Sequence, residues 1–309
     1  MRPRPILVTG APRSGTTWLA RQLADSAGTA LPGREPMNAR SDSKHWYNPT
    51  GRQYALGGTL DGWTRLTEPT AKQRRSLRLA YSGLHPLLLS RYGQNQWRSL
   101  APRTRVVVKD PFALLSLPAI CRTTGATPVV VVRHPGAVLA SYRRMGWSPD
   151  VAELAPIVQA FVQDNPDGRH LVEPARENMD GLTAMGWFWN SLYGMALADS
   201  SLAPQTIFVS HAHIAAAGEA ALTTLRSALG LQPTTRSTAR SESRAHPPAS
   251  TPDESALHNF DRDPAVVADA WEHQLSPGER EQLEAQTSQV RAELGLATTH
   301  GFGPRGHHE

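Results

Sequence analysis

An α/β fold, a three-layer sandwich built on a central parallel sheet, is predicted by three features of the sequence. These are short unbroken β-branched runs, a helical pattern after each run, and a glycine-bounded turn between the first run and its helix. The runs at 6–9, 105–108 and 128–132 lack polar alternation, as strands buried on both faces require. A fourth strand is expected at 206–210. Amphipathic patterns over 16–27, 113–122, 136–145 and 214–229 supply the crossover helices, which in such folds are right-handed.

The remaining segments fix the organisation. With 309 residues, 39% of them hydrophobic, the chain suffices for a single domain over 1–309. The stretch of about 36–102 is longer than one crossover needs and is expected to form a mostly helical insert over the binding edge of the sheet. Residues of about 233–262, dominated at first by Ser, Thr, Arg, Pro and Ala, lack apolar periodicity and are expected to form a mobile, lid-like loop. Ser276-Pro277-Gly278-Glu279 supplies a capping serine, a first-turn proline and a third-position glutamate ahead of a helix running through Leu294.

Composition removes several function classes. The formal charge of +5 is carried by arginine, since Lys44, Lys72 and Lys109 are the only lysines. This balance suits a polyanionic small molecule. No basic block interleaved with aromatic residues stands out, so a nucleic-acid partner is not expected. One cysteine, Cys121, excludes an internal disulfide framework and makes the cytoplasm the default compartment. No stretch has the length and apolarity of a membrane span or a signal region, so the protein is expected to be soluble.

Gly10-Ala11-Pro12-Arg13-Ser14-Gly15-Thr16-Thr17-Trp18 lies between the first strand and its helix. A turn in that place directs backbone N–H groups and the positive end of the helix dipole at one point, where an anion can bind. Arg13 adds a charged donor, and Thr16 and Thr17 add hydroxyls. The turn is P-loop-like, but Thr16 stands where a triphosphate-binding loop carries lysine, which argues against a nucleotide triphosphatase. A purely structural strand-to-helix turn would need glycine but not this set of donors.

The string from Pro12 to Trp18 resembles the 5′-phosphosulfate loop of sulfotransferases that use 3′-phosphoadenosine 5′-phosphosulfate (PAPS), with Arg13 in place of the frequent lysine. A second segment, Arg133-His134-Pro135-Gly136-Ala137-Val138-Leu139-Ala140-Ser141, resembles the 3′-phosphate motif of that family. The resemblance implies that Arg13, Ser14, Gly15, Thr16, Thr17, Trp18, Arg133 and Ser141 bind PAPS and its product adenosine 3′,5′-bisphosphate. It extends to Val108-Lys109-Asp110-Pro111 and to Arg262-Asp263-Pro264. In bacterial members a late basic loop closes on the 3′-phosphate, which makes Arg262 a further candidate, although Pro264 departs from the usual serine.

Sulfuryl transfer needs an in-line nucleophile and a stabilised leaving group, and no metal. Loop amides, Arg13 and Lys109 are candidates to stabilise the charge that grows on the departing 5′-phosphate. Glu35, in Gly33-Arg34-Glu35-Pro36, is the first candidate for the general base, because carbohydrate-modifying relatives place a catalytic glutamate in a similar segment. Its alternative is a loop glutamate paired with Arg34. Cytosolic small-molecule members use a histidine shortly after the strand lysine; here Asp110-Pro111 follows Lys109, and Asp110 is the second candidate base. His45, His134, His211 and His213 are weighed against structural roles. Trp187, Phe188, Trp189 and Tyr193 have core-like helical spacing, whereas Trp46, Tyr47, Tyr54 and Trp63 in the insert are candidates to line an acceptor pocket. The acceptor is expected to be a hydroxyl of a carbohydrate, glycolipid or secondary metabolite. A kinase-like phosphotransferase and a non-catalytic nucleotide-binding protein of the same fold are the competing readings.

Overall fold

The computed structural model describes residues 2–39, 56, 58–84, 89–172, 174–175, 179–232 and 270–299. Six strands form one sheet: β1 (Ile6–Thr9), β2 (Thr29–Gly33), β3 (Leu89–Gln94), β4 (Arg105–Lys109), β5 (Thr127–Val132) and β6 (Ile207–Ser210), in the order β3-β2-β4-β1-β5-β6. Five of them are parallel, with Leu7 opposite Val108 on one side and opposite Pro128 on the other. The sixth, β3, runs antiparallel to β2 at the edge.

Alternation along the strands builds the three layers. Ile6, Val8, Val107, Val129, Val131, Ile207 and Val209 face α1 (Thr16–Ala24) and α7 (His211–Ala228). Leu7, Val106, Val108, Val130 and Phe208 face the other layer. That layer holds α2 (Ala71–Tyr81), α3 (Leu117–Thr124), α4 (Pro135–Met145), α5 (Val151–Asp164), α6 (Gly181–Asp199) and α8 (Pro277–Thr299). Both sets are buried, so the continuous apolar runs are strands covered on both faces. Each such valine or isoleucine contributes roughly 1.5–3 kcal/mol by leaving water.

The four strands expected from sequence are β1, β4, β5 and β6. Two more were not predicted. Thr29-Ala-Leu-Pro-Gly has little intrinsic strand character, and it is extended because Thr29 and Ala30 pair with Arg105 and Val106. The segment of about 36–102, expected to be mostly helical, holds among its described residues both α2 and the edge strand β3. The expected helix from 113 is a 3₁₀ turn over Pro111–Ser116 followed by α3. At α8 the predicted cap is present: Glu279 N donates to Ser276 Oγ at 3.3 Å, and Ser276 N donates to Glu279 Oε2 at 2.8 Å. All of the expected loop of about 233–262, with Arg262, lies outside the described residues, as do His45, Trp46, Tyr47 and Tyr54. No described helix is long and apolar enough to cross a membrane.

Candidate functional site

Because β2, β4, β1, β5 and β6 are parallel neighbours, their C-terminal ends share one edge of the sheet. Most of the candidate donor-binding and base residues among those described lie at or just after one of these ends. Glu35 lies two residues after β2, and Lys109 and Asp110 end β4. The phosphate-type turn follows β1, Arg133 follows β5, and His211 follows β6. Open α/β sheets hold ligands at this edge, where successive crossovers diverge.

The turn after β1 depends on two glycines. Gly10 has φ 149° and its α-carbon faces the Val131 carbonyl so closely that a Cβ would collide with it. Gly15 has φ 95°, and a Cβ there would lie 2.6 Å from His211 Cδ2. Arg13 also adopts a left-handed conformation, φ 71°, between them. Ser14 N donates to Ala11 O at 3.0 Å, which tightens the turn, and the first turn of α1 takes no side-chain cap. Those leading amides and the dipole they terminate are what an anion binds. Ser14 and Thr16 are buried, whereas Arg13, Thr17 and Trp18 are partly exposed, Trp18 resting on the cluster beneath α1.

Tyr193 of α6 braces the turn from below: its hydroxyl donates to Val131 O at 2.7 Å and accepts from Ala11 N at 3.2 Å. Burial pushes the Tyr193 phenol up to about 12, so it stays a neutral donor. Trp189, one turn earlier, donates from Nε1 to Arg133 O at 2.9 Å. The aromatic group of α6 is therefore core, as its spacing predicted, and also fixes both halves of the site.

The two segments singled out in sequence meet directly. Arg13 Nε donates to Ser141 Oγ at 3.0 Å, and an Arg133 guanidinium nitrogen donates to Arg13 O at 2.9 Å. Burial lowers the Arg133 guanidinium to about 10, with further lowering by Arg13 and Arg144. Burial and Arg144 also lower Arg13. Bringing guanidinium groups together in a half-buried place is unfavourable on its own, and an anion held between them reverses the sign of the interaction. Arg13 also lies over the Trp147 ring, 5.8 Å from its centroid.

On the β2 and β4 side, Glu35 forms an ion pair with Lys109, the two side chains being 13% and 11% exposed, and accepts from Asn38 Nδ2. Glu35 is thus tied to Lys109. Asp110 is fully buried, with one oxygen accepting from Met37 N at 2.5 Å and the other from Phe112 N at 3.0 Å. Burial and then Glu35 raise its carboxyl well above the ordinary range. Both oxygens being engaged inside the protein, Asp110 is not placed to take a proton from an outside molecule. It fastens the segment that carries Glu35 to the end of β4. Trp63, expected at an acceptor pocket, is 6% exposed, with its ring centroid 4.3 Å from that of Phe112 and its face turned to the core.

Two of the weighed histidines are held neutral. His134 caps α4, its Nδ1 accepting from Gly136 N at 3.2 Å, and stacks on Trp271 at 4.2 Å. Burial and Arg291 lower it to about 4. His211, packed on the turn at Gly15, is lowered to about 4 by burial and Arg133. An unfolded histidine titrates near 6.5, so in that range the unfolded chain binds protons that the folded chain refuses. Stability is therefore expected to be complete above about pH 6.5 and to fall toward pH 4, by on the order of 3 kcal/mol per histidine at the acid limit. Urea unfolding between pH 7.5 and 4.5 measures this slope, and it flattens in His134→Gln/His211→Gln if these residues carry it. His213 lies in the exposed first turn of α7.

Sequence reasoning did not assign Asn38, three residues beyond Glu35, or the bracing role of Tyr193. The first had a signal in its spacing; the second had none, because 182 residues separate Tyr193 from Ala11.

Among solved structures, the chain is similar to the sulfotransferase domain from the curacin biosynthetic pathway, with TM-score 0.47 and 17% identity over 93% of this chain and 99% of that one. It is likewise similar to the sulfotransferase domain of the Synechococcus PCC 7002 olefin synthase, with TM-score 0.47 and 17% identity over 94% of each chain. A mouse sulfotransferase complexed with PAP gives TM-score 0.43 and 14% identity over 95% of this chain and 89% of that one. No curated protein matches. The family described as the sulfotransferase family matches residues 5–176, more than half the chain, and the chain therefore belongs to the sulfotransferase family.

Proposed function

We propose that this protein moves the sulfuryl group of PAPS to a hydroxyl of a small-molecule or saccharide acceptor. The observation that carries the reading is the joining of the two phosphate-type elements through Arg13, Ser141 and Arg133, with the Glu35–Lys109 pair beyond them on the same sheet edge. The chain's features fit the donor. A left-handed turn at an uncapped helix start suits one anionic end, and Arg133 with Ser141 suits the other. PAPS supplies the sulfur–oxygen bond that breaks, its phosphate leaving as adenosine 3′,5′-bisphosphate while the acceptor oxygen bonds to sulfur and loses its proton.

The residues of the chain divide the remaining work. Arg13 and the turn amides hold the leaving phosphate end and stabilise charge accumulating there. In this reading Lys109, paired with Glu35 in the free protein, turns its ammonium to that end when the donor binds, which frees a Glu35 oxygen to accept the acceptor's proton. Asp110 and Asn38 keep the Glu35 segment in register. The segment of about 36–102 adjoins this pair, and we assign it to the acceptor side. A cytoplasmic setting, compatible with a lone buried free cysteine, belongs to the same proposal.

Isothermal titration with adenosine 3′,5′-bisphosphate and with ATP tests the donor. The bisphosphate is expected to bind at least tenfold more tightly; tighter ATP binding returns the phosphotransferase reading. Turnover of labelled PAPS against a panel of sugar and alcohol acceptors then separates an enzyme from a non-catalytic binder.

A further inference from the structure

We propose that Arg144, a residue outside both recognised motifs, is a further guanidinium ligand, beside Arg133, of the phosphate held by Arg133 and Ser141. The inference rests on the donor reading above and goes beyond it in adding a binding residue.

Arg144 lies in α4 one turn after Ser141, and residues three apart share a helix face. Ser141 Oγ accepts from Arg13, and Arg133 reaches the same loop, so the face that carries Arg144 looks onto the phosphate position already described. The charge of Arg144 is felt by both Arg13 and Arg133. Its sequence neighbour provides the contrast. Arg143 points to α8 and pairs with Glu279 at 2.7 Å. Arg144 is exposed and, among the described residues, has no carboxylate or hydrogen-bond partner. One arginine of the pair is committed to holding two helices together; the other, on the helix face of Ser141, adds a like charge to those of Arg13 and Arg133, an arrangement that raises the energy of the empty site and is relieved by a dianion. An arginine fork on a phosphate adds two directed bonds to the charge attraction.

The test compares Arg144→Gln with Arg143→Gln in the full chain, since both lower the net charge by the same amount. Each is titrated with adenosine 3′,5′-bisphosphate, adenosine 5′-monophosphate and inorganic pyrophosphate, alongside the unaltered protein. Arg144→Gln is expected to weaken bisphosphate binding about tenfold or more and to leave the monophosphate within about twofold. Arg143→Gln is expected to change neither by more than about twofold, and Arg144→Lys to recover part of the loss. Equal losses in the Arg143 and Arg144 variants, or an unchanged Arg144→Gln, overturn the assignment. An equal loss for the monophosphate also overturns it, because the residue then acts at the other end of the ligand. If the unaltered protein binds pyrophosphate but not the bisphosphate, the donor reading fails. Weaker pyrophosphate binding by Arg144→Gln then still supports Arg144 as an anion ligand, and unchanged binding rejects it.

Discussion

Arg133→Ala is expected to weaken adenosine 3′,5′-bisphosphate by about 2–5 kcal/mol, on the order of 30-fold to several-thousand-fold, the range for removing one partner of a buried charged hydrogen-bonded pair. Arg133 does two things that alanine cannot. It offers a fork to phosphate oxygens, and it holds the carbonyl of Arg13, so its loss frees the turn that carries the other cation. Arg133→Lys separates these effects: it restores a charge without the planar fork, and is expected to recover only part of the affinity. The folded protein is not expected to lose stability in proportion, because removing Arg133 also removes a cation pressed against Arg13 and Arg144. Calorimetric titration with thermal melting of the free protein checks both statements. Loss of affinity with a melting temperature at or above that of the unaltered chain fits a ligand-binding residue, whereas parallel loss of both indicates a structural one.

Glu35→Gln is expected to lower kcat by about 10²- to 10⁴-fold, the usual contribution of a positioned base, and to leave bisphosphate affinity nearly unchanged. Glutamine keeps the size of the side chain and can still bond to Asn38, but it has lost the charge that pairs with Lys109 and the basicity that receives a proton. Asp110→Asn is the informative companion. One of its two terminal atoms becomes a donor facing either Met37 N or Phe112 N, so one of the two fastenings of the segment holding Glu35 is lost. This variant is expected to lose stability and turnover by loosening the segment, where Glu35→Gln leaves that segment fastened and shows itself chiefly in turnover. Full activity in Glu35→Gln with labelled PAPS would remove it as the base.

Much of this site was legible along the chain because its chemistry is local. A left-handed turn needs glycine at Gly10 and Gly15, a helix start with Arg13 beside it suits an anion, and the ends of β1, β4, β5 and β6 are marked by the residues following an apolar run. Arg13 could be named from that turn, and Glu35, Lys109, Arg133 and Ser141 from resemblance to the family's motifs; the fold brings all five to one sheet edge. What was not legible depends on partners remote in sequence. The strand Thr29–Gly33 exists through its pairing with β4, and β3 through its pairing with β2. Asp110 looked like a reactive carboxylate until Met37 and Phe112 were found on its two oxygens.

The sequence alone determined the layer architecture, because backbone stereochemistry and the period of apolar residues are properties of short segments, and its resemblance to the family's motifs named the candidate phosphate-binding residues. Only the tertiary structure decided which charges oppose one another. Lys109 pairs with Glu35, Arg143 pairs with Glu279, and the charge of Arg144 lowers both Arg13 and Arg133. The reason is that Coulomb interaction depends on distance in space, and that distance is set by the order β2-β4-β1-β5 in the sheet, which differs from the order in which the chain writes those strands.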